Sequence, residues 1–201
     1  MARLIDVIPM NGCTLIYGTG GTGKTTIGLE ASVAKAISGK TVVYTFSAPY
    51  SFISRGIEIA RGFGENEIPK NVIFIKAETL DELREVAMLF LSKPPDYFVV
   101  DTVTSGYRAS ISLGKRGMET GRVLTEIIGL MISSSPSDGA ILIADAQTKP
   151  TGEERPSAEA SLKFWCDNRV HVMKLPDGTR KATLSDKEVY FKITSTGTEV
   201  V

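Results

Sequence analysis

Cysteine, histidine and tryptophan are almost missing from this 201-residue chain, which holds two, one and one of them. Two cysteines, Cys13 and Cys166, cannot make a disulfide scaffold, and their spacing fits no metal motif; the sequence alone reads them as buried, reduced thiols. The lone histidine, His171, lies in an apolar run and reads as core packing rather than as a ligand or base. Net charge is absent too, with 23 basic against 23 acidic residues. No global field therefore draws the chain to a polyanion or a membrane, and any such affinity has to come from a local patch. The opening MARLIDVIPMNG lacks the apolar stretch of a secretory signal. The most apolar later run, IIGLMI at 127–132, is far too short to cross a bilayer. These absences lead to the expectation of a soluble, cytoplasmic protein with no membrane partner.

What is present is an ordinary globular composition, 42% hydrophobic and 23% charged, on a chain long enough to enclose one well-buried core. Residues 14–17, 40–45, 71–75, 97–101 and 140–144 are short, apolar and rich in β-branched side chains, and read as strands. Residues 26–38, 52–61 and 121–133 carry helical periodicity, and another helix opens at Thr79, with Glu82 placed to complete a capping box. The Ser-, Pro- and Gly-bearing run 133–139 stops the helix before it. This alternation predicts a mostly parallel, twisted sheet with helices on both faces. Residues 102–120 are polar and glycine-containing and read as irregular; residues 149–159 are polar and expected to be mobile. A short helix at 160–165 follows. Residues 170–175 then run through Pro176-Asp177-Gly178 into 181–184, the pattern of an antiparallel hairpin, with a last strand at 189–193. With no internal repeat, low-complexity tract or linker, one domain over residues 1–201 is expected.

The sharpest feature is Gly18-Thr19-Gly20-Gly21-Thr22-Gly23-Lys24-Thr25, which fits the phosphate-loop pattern. Glycines let the backbone curl until successive N–H groups converge on an anion, and the helix that follows adds its positive terminus. Lys24 can reach the β and γ phosphates as a mobile point charge, the Thr25 hydroxyl can ligate Mg²⁺, and Thr26 completes the binding run. A plain glycine-rich turn is the bland alternative, but the motif stands where it must, between an apolar strand and a periodic helix. A nucleoside triphosphate is the expected ligand. Asp101 closes another apolar strand, where a phosphate-loop protein keeps the acid that steadies its magnesium. A carboxylate capping the next turn would look the same. Thr25 and Asp101 are the expected metal pair.

GTGGTGKTT, FVVDTVTSGYRA and ILIADAQTKP, in that order, resemble the RecA/RadA/KaiC class of ATPases, and the nearest likeness is to the single-core RadA paralogues of archaea. Asp101-Thr102-Val103-Thr104, with Tyr107-Arg108 beyond, is similar to the Asp-Ser-Val-Thr and nearby Arg of the RadA recombinases. SAEASLKFWCDNRVHVMKL and the hairpin after it are similar to their closing hairpin, so the likeness spans about residues 12–193. It implies a RecA-like P-loop core with a C-terminal antiparallel hairpin, ATP and Mg²⁺ as ligands, and ATPase activity. It also implies a place in DNA recombination and repair, with single-stranded DNA or a RadA-type recombinase as partner.

Three departures shape the expectation. The recombinases carry a helix-hairpin-helix domain and an oligomerising linker before the core, for which the residues ahead of the first strand leave no room; filaments are not expected, while other oligomers stay open. After the second strand the recombinases read Asp-Thr-Glu-Gly and KaiC-like proteins Thr-Phe-Glu-Glu, but this chain has Thr45-Phe46-Ser47-Ala48. The glutamate that prepares the attacking water is missing. Such help is worth roughly 10²–10⁴-fold, or about 3–5 kcal/mol of barrier. Near-normal ATP affinity with slow hydrolysis follows, with nothing in the spacing of Glu58 or Glu78 to recommend either as a replacement. Finally, where the recombinases place an Asn-Gln phosphate sensor, this chain has Asp145-Ala146-Gln147. Gln147 can still sense the phosphate through its amide, and Asp145 either faces a metal-bound water or caps the strand. Lys24, Asp101, Asp145 and Gln147 are thus the candidate catalytic residues.

The segments matching the recombinases' DNA loops are 108–118, with Arg108, Lys115 and Arg116, and 148–157, with Lys149 and Arg155 beside Glu153 and Glu154. Ordinary solvated loops would have the same composition. Tyr107 is the only aromatic among these bases, so a stacking platform is not expected. Any DNA binding should be weak, sequence-independent and salt-sensitive, with Kd on the order of 10⁻⁴–10⁻⁶ M. Two other readings stand beside the ATPase. One is a non-hydrolysing, nucleotide-gated adaptor of a recombinase, favoured by Ser47-Ala48. The other is a small-metabolite P-loop kinase, for which only Arg155 stands near a possible lid.

Overall fold

Runs of Val, Ile, Leu and aromatic residues pair in the middle of the molecule, where both faces of the sheet are covered. The computed structural model describes residues 2–134, 139–149 and 151–201, so most of the helix stop expected at 133–139 lies outside the described residues. β1 (Cys13–Gly18), β2 (Val42–Phe46), β3 (Val72–Lys76), β4 (Tyr97–Asp101), β5 (Ala140–Thr148) and β7 (Asn168–Lys174) run parallel. β8 (Arg180–Leu184), β9 (Lys187–Thr194) and β10 (Gly197–Val200) return antiparallel, giving a 10-stranded sheet in the order β10-β9-β8-β7-β1-β5-β4-β2-β3, with β6 (Glu154–Pro156) paired to the far end of β5.

Successive side chains point to opposite faces. Ile16, Tyr44, Val99, Ile141 and Ile143 enter a core covered by α1 (Lys24–Ile37) and α2 (Phe52–Gly62). Leu15, Val43, Phe98, Val100 and Leu142 enter a second core under α3 (Leu80–Leu89), α5 (Gly117–Ser134) and α6 (Glu159–Trp165). Burial on both sides is why these strands read as continuous apolar runs. α3 starts as its sequence requires: Thr79 Oγ1 accepts from the Glu82 N–H at 3.2 Å, and the Glu82 carboxylate accepts from the Thr79 N–H at 3.0 Å. At the hairpin after β7, the Thr179 N–H donates to Asp177 Oδ1 and Gly178 takes φ 86°.

Several expectations are corrected. Residues 102–120 are not irregular: they hold α4 (Ser105–Ser112) and the first turn of α5. Their periodicity is blurred because Gly106 sits inward, where a Cβ would come within 2.7 Å of the Leu80 amide nitrogen. The described residues of 149–159 make regular backbone contacts. β6 pairs with β5, and the Lys149 N–H donates to the Glu153 carbonyl at 2.8 Å. β10 carries no apolar pattern and is held instead by polar contacts with α1. Cys13 and Cys166 are not two separate thiols: the fold brings the start of β1 against the end of α6 and sets their sulfurs side by side, with Cα atoms 4.6 Å apart. His171 is not core packing either: it stacks on Tyr17 at 4.8 Å, and its Nε2 meets Glu154 Oε2 at 2.8 Å.

Candidate nucleotide-binding site

β1 ends at Gly18, where no side chain fits: a Cβ there would stand 2.1 Å from the Val172 carbonyl oxygen of β7. The loop then curls through Gly21 at φ 75° and Gly23 at φ 101°, a left-handed geometry that side chains resist. Gly23 is the N-cap of α1 and offers no side-chain cap, so the first-turn amides face the loop mouth. Thr22 Oγ1 pins the curl by donating to the Thr19 carbonyl at 3.0 Å. Lys24 is buried; its Nζ donates to the carbonyls of Gly18 and Thr19, both at 2.8 Å, and lies 3.5 Å from Asp145 Oδ1.

Strand register gathers the acids. Gly18 of β1 lies opposite Asp145 of β5, and Asp101 of β4 lies opposite Ile143. The three strand ends border a cleft of about 400 Å³ lined by Gly20, Gly21, Gly23, Lys24, Thr25, Thr26, Asp101, Thr102, Asp145 and Ile193. This is the carboxyl edge, where open parallel sheets place ligands. Asp101 is only 6% exposed, and its carboxylate accepts from the Thr25 hydroxyl and, at 2.9 Å, from the Tyr44 hydroxyl. Burial pushes the Asp101 pKa upward, against the opposing pull of Thr25, Tyr44 and the Lys24 charge. Burial, and next the Asp101 carboxylate, hold the Tyr44 phenol well above its usual range. Thr25 and Asp101 thus present adjoining hard oxygen donors, the donor type Mg²⁺ takes alongside nucleotide phosphates.

The other sequence candidates scatter. Gln147 is exposed, faces Arg155 across the β5–β6 ladder and does not line the cleft. Arg108, on α4, bonds Asp145 Oδ2 at 2.5 Å. Lys115 and Arg116 are exposed between α4 and α5, where Arg116 lies 3.8 Å from Glu119. On the second segment Lys149 is exposed, and Arg155 is engaged by Glu153 at 2.8 Å and Glu159 at 3.4 Å. Neither Ser47 nor Ala48 lines the cleft, and Glu58 and Glu78 pair elsewhere, with Arg55 and Lys76.

No family model matches the chain. Curated relatives do. The chain is 28% identical over 198 residues to the DNA repair and recombination protein RadB of Methanococcus maripaludis, covering 94% of this chain and 91% of that one. It is 26% identical over 200 residues to the protein of the same name from Archaeoglobus fulgidus, covering 92% and 88%. The crystal structure of the RadB recombinase superposes with a TM-score of 0.77 at 25% identity, over 96% of this chain and 92% of that one. The chain belongs to the RecA-type recombinase superfamily. Within this RecA-type core, three contributors to the site escape sequence reading. Tyr44 looks like one more aromatic in a buried strand, yet its hydroxyl fixes Asp101. Thr104 Oγ1 accepts from the Asp145 N–H at 3.2 Å. Ile193 of β9 reaches back to wall the cleft beside Gly23. A polar tip within VVYTF was the one available signal, and only for Tyr44.

Proposed function

We propose that this chain is an ATP-binding RecA-type protein of the RadA-paralogue kind, a single core over residues 1–201. It hydrolyses ATP slowly and acts in DNA recombination and repair by contacting single-stranded DNA, a RadA-type recombinase, or both. The observation that carries the reading is the meeting of Lys24, Thr25 and Asp101 in one cleft at the mouth of the phosphate loop. In this mechanism the loop amides and Lys24 hold the β and γ phosphates, while Thr25 and Asp101 hold the metal. Mg²⁺, when bound, supplies the charge that draws electron density from the terminal phosphate. Among the described residues the carboxylates lining the cleft are Asp101 and Asp145, and the end of β2 offers none. Without a dedicated base there, the attacking water is poorly prepared and turnover is slow. A cytoplasmic location agrees with the lack, among the described residues, of a helix able to cross a membrane.

The test is ATP turnover with and without single-stranded DNA at two salt concentrations, for wild-type protein and Lys24→Ala. Slow wild-type turnover that Lys24→Ala abolishes supports the reading; equal turnover in both removes the assigned site. The empty end of β2 also favours a second reading, an adaptor that binds ATP without hydrolysing it. ATP affinity with no turnover, even with DNA and recombinase added, would decide for it.

A further inference from the structure

Asp145 is held by its main chain from both sides: its N–H donates to Thr104 Oγ1 at 3.2 Å and its carbonyl accepts from the Ser157 N–H at 3.0 Å. Its carboxylate, a quarter exposed, lies between two cations, with Oδ1 3.5 Å from Lys24 Nζ and Oδ2 2.5 Å from the Arg108 guanidinium. One of those cations belongs to the phosphate loop and the other to α4. Asp145 is thus an anion held between two cations at the rim of the cleft. We infer that Asp145 is an internal counterpart of the terminal phosphate, competing with a bound triphosphate for Lys24 and passing the nucleotide's arrival to α4 through the Arg108 it keeps. This rests on the assignment of the cleft to a nucleoside triphosphate and adds how occupancy of that cleft is read out.

The physics sets the signs. A triphosphate that takes Lys24 leaves the Asp145 charge facing phosphate oxygens, with Arg108 as its remaining cation. Asp145→Asn removes that repulsion and the competition, and affinity for a slowly hydrolysed ATP analogue with Mg²⁺ should rise. One unit charge a few ångströms away in water-like surroundings changes affinity on the order of fivefold. Arg108→Gln leaves the carboxylate less compensated and should weaken binding by a similar factor. Calorimetry on the full chain measures both, and hydrogen exchange over residues 105–112 reads the relay. Analogue should alter exchange there in wild type and leave it unchanged in Asp145→Asn.

Unchanged or weakened binding by Asp145→Asn, with a melting temperature matching wild type, overturns the inference. If Asp145→Asn fails to fold, Arg108→Gln decides, and unaltered affinity there overturns it equally. Wild-type protein that binds no analogue would sink the cleft assignment and this inference with it, whereas firm wild-type binding with flat variants sinks the inference alone.

Discussion

Glu30 is fully buried on α1, and three donors converge on it. Oε1 accepts from an Arg3 guanidinium nitrogen at 2.5 Å and from the Thr198 N–H at 2.9 Å, while Oε2 accepts from the Thr198 hydroxyl at 2.5 Å. Truncation to alanine strands a cation and a buried amide together. Breaking a buried ion pair from one side costs about 3–5 kcal/mol. The Arg3 side chain is 17% exposed, keeps the Gly62 and Thr196 carbonyls, and lies 3.9 Å over the Phe63 ring. The low end, about 3 kcal/mol, is therefore expected. For a chain of this length each kcal/mol moves Tm by about 2–4 °C, so Glu30→Ala should melt roughly 6–12 °C below wild type. Circular dichroism melts, checked by urea titration with an unchanged m-value, give the measurement. Thr198→Val should cost less than Glu30→Ala, and the two losses should not add, because the residues share one network. A Glu30→Ala melt within about 2 °C of wild type would refute the reasoning, since in that case the carboxylate would not be answering its partners.

Asp101 makes a pH prediction with two opposite signs. Burial raises its pKa above the ordinary 3.8, so its contribution to folding stability is fully present below that value and is lost as pH rises through the higher folded one. Mg²⁺-dependent nucleotide affinity should instead fade as pH falls through the folded value. Asp101→Asn should accordingly hold or raise Tm at pH 7 while losing the magnesium-dependent gain in affinity; a markedly lower Tm would show that the buried charge costs nothing. Gly129→Ala would bring a methyl within 2.6 Å of the Trp165 ring, overpacking α5 against α6 by about 1–3 kcal/mol. Because Trp165 is the only tryptophan, its emission should shift along with Tm, and an unmoved spectrum would count against the contact.

Much of the frame was legible because it rests on local rules. β4 keeps the bounds its sequence suggests, since Pro94-Pro95 precedes it and the apolar run closes at Asp101. α3 begins at its capping box, and the loop before α1 has the strand and helix its motif demands. What escaped depends on neighbours distant in sequence. α4 hides its inward face behind Gly106 and Ser110. β10 is defined by Glu30 and by pairing with β9, neither visible in Gly-Thr-Glu-Val. The meeting of Cys13 and Cys166 brings together positions 153 residues apart, which no spacing rule sees. At the site, Lys24, Thr25 and Asp101 follow from their motifs, but the hold of Tyr44 on Asp101 and the two cations on Asp145 arise only when β2, β4, β5 and α4 meet.

The late hairpins contribute no phosphate contact by motif, yet they shape the cradle. The main chain of β7 leaves room at position 18 for a hydrogen atom and nothing larger, and Ile193 would lie 2.3 Å from any Cβ at position 23. The familiar eight-letter signature is therefore not a transferable part. Grafted elsewhere without the strands that press on it, it would spell the same word in a backbone free to relax, and a fragment stopping after β6 would carry every consensus letter without its mould.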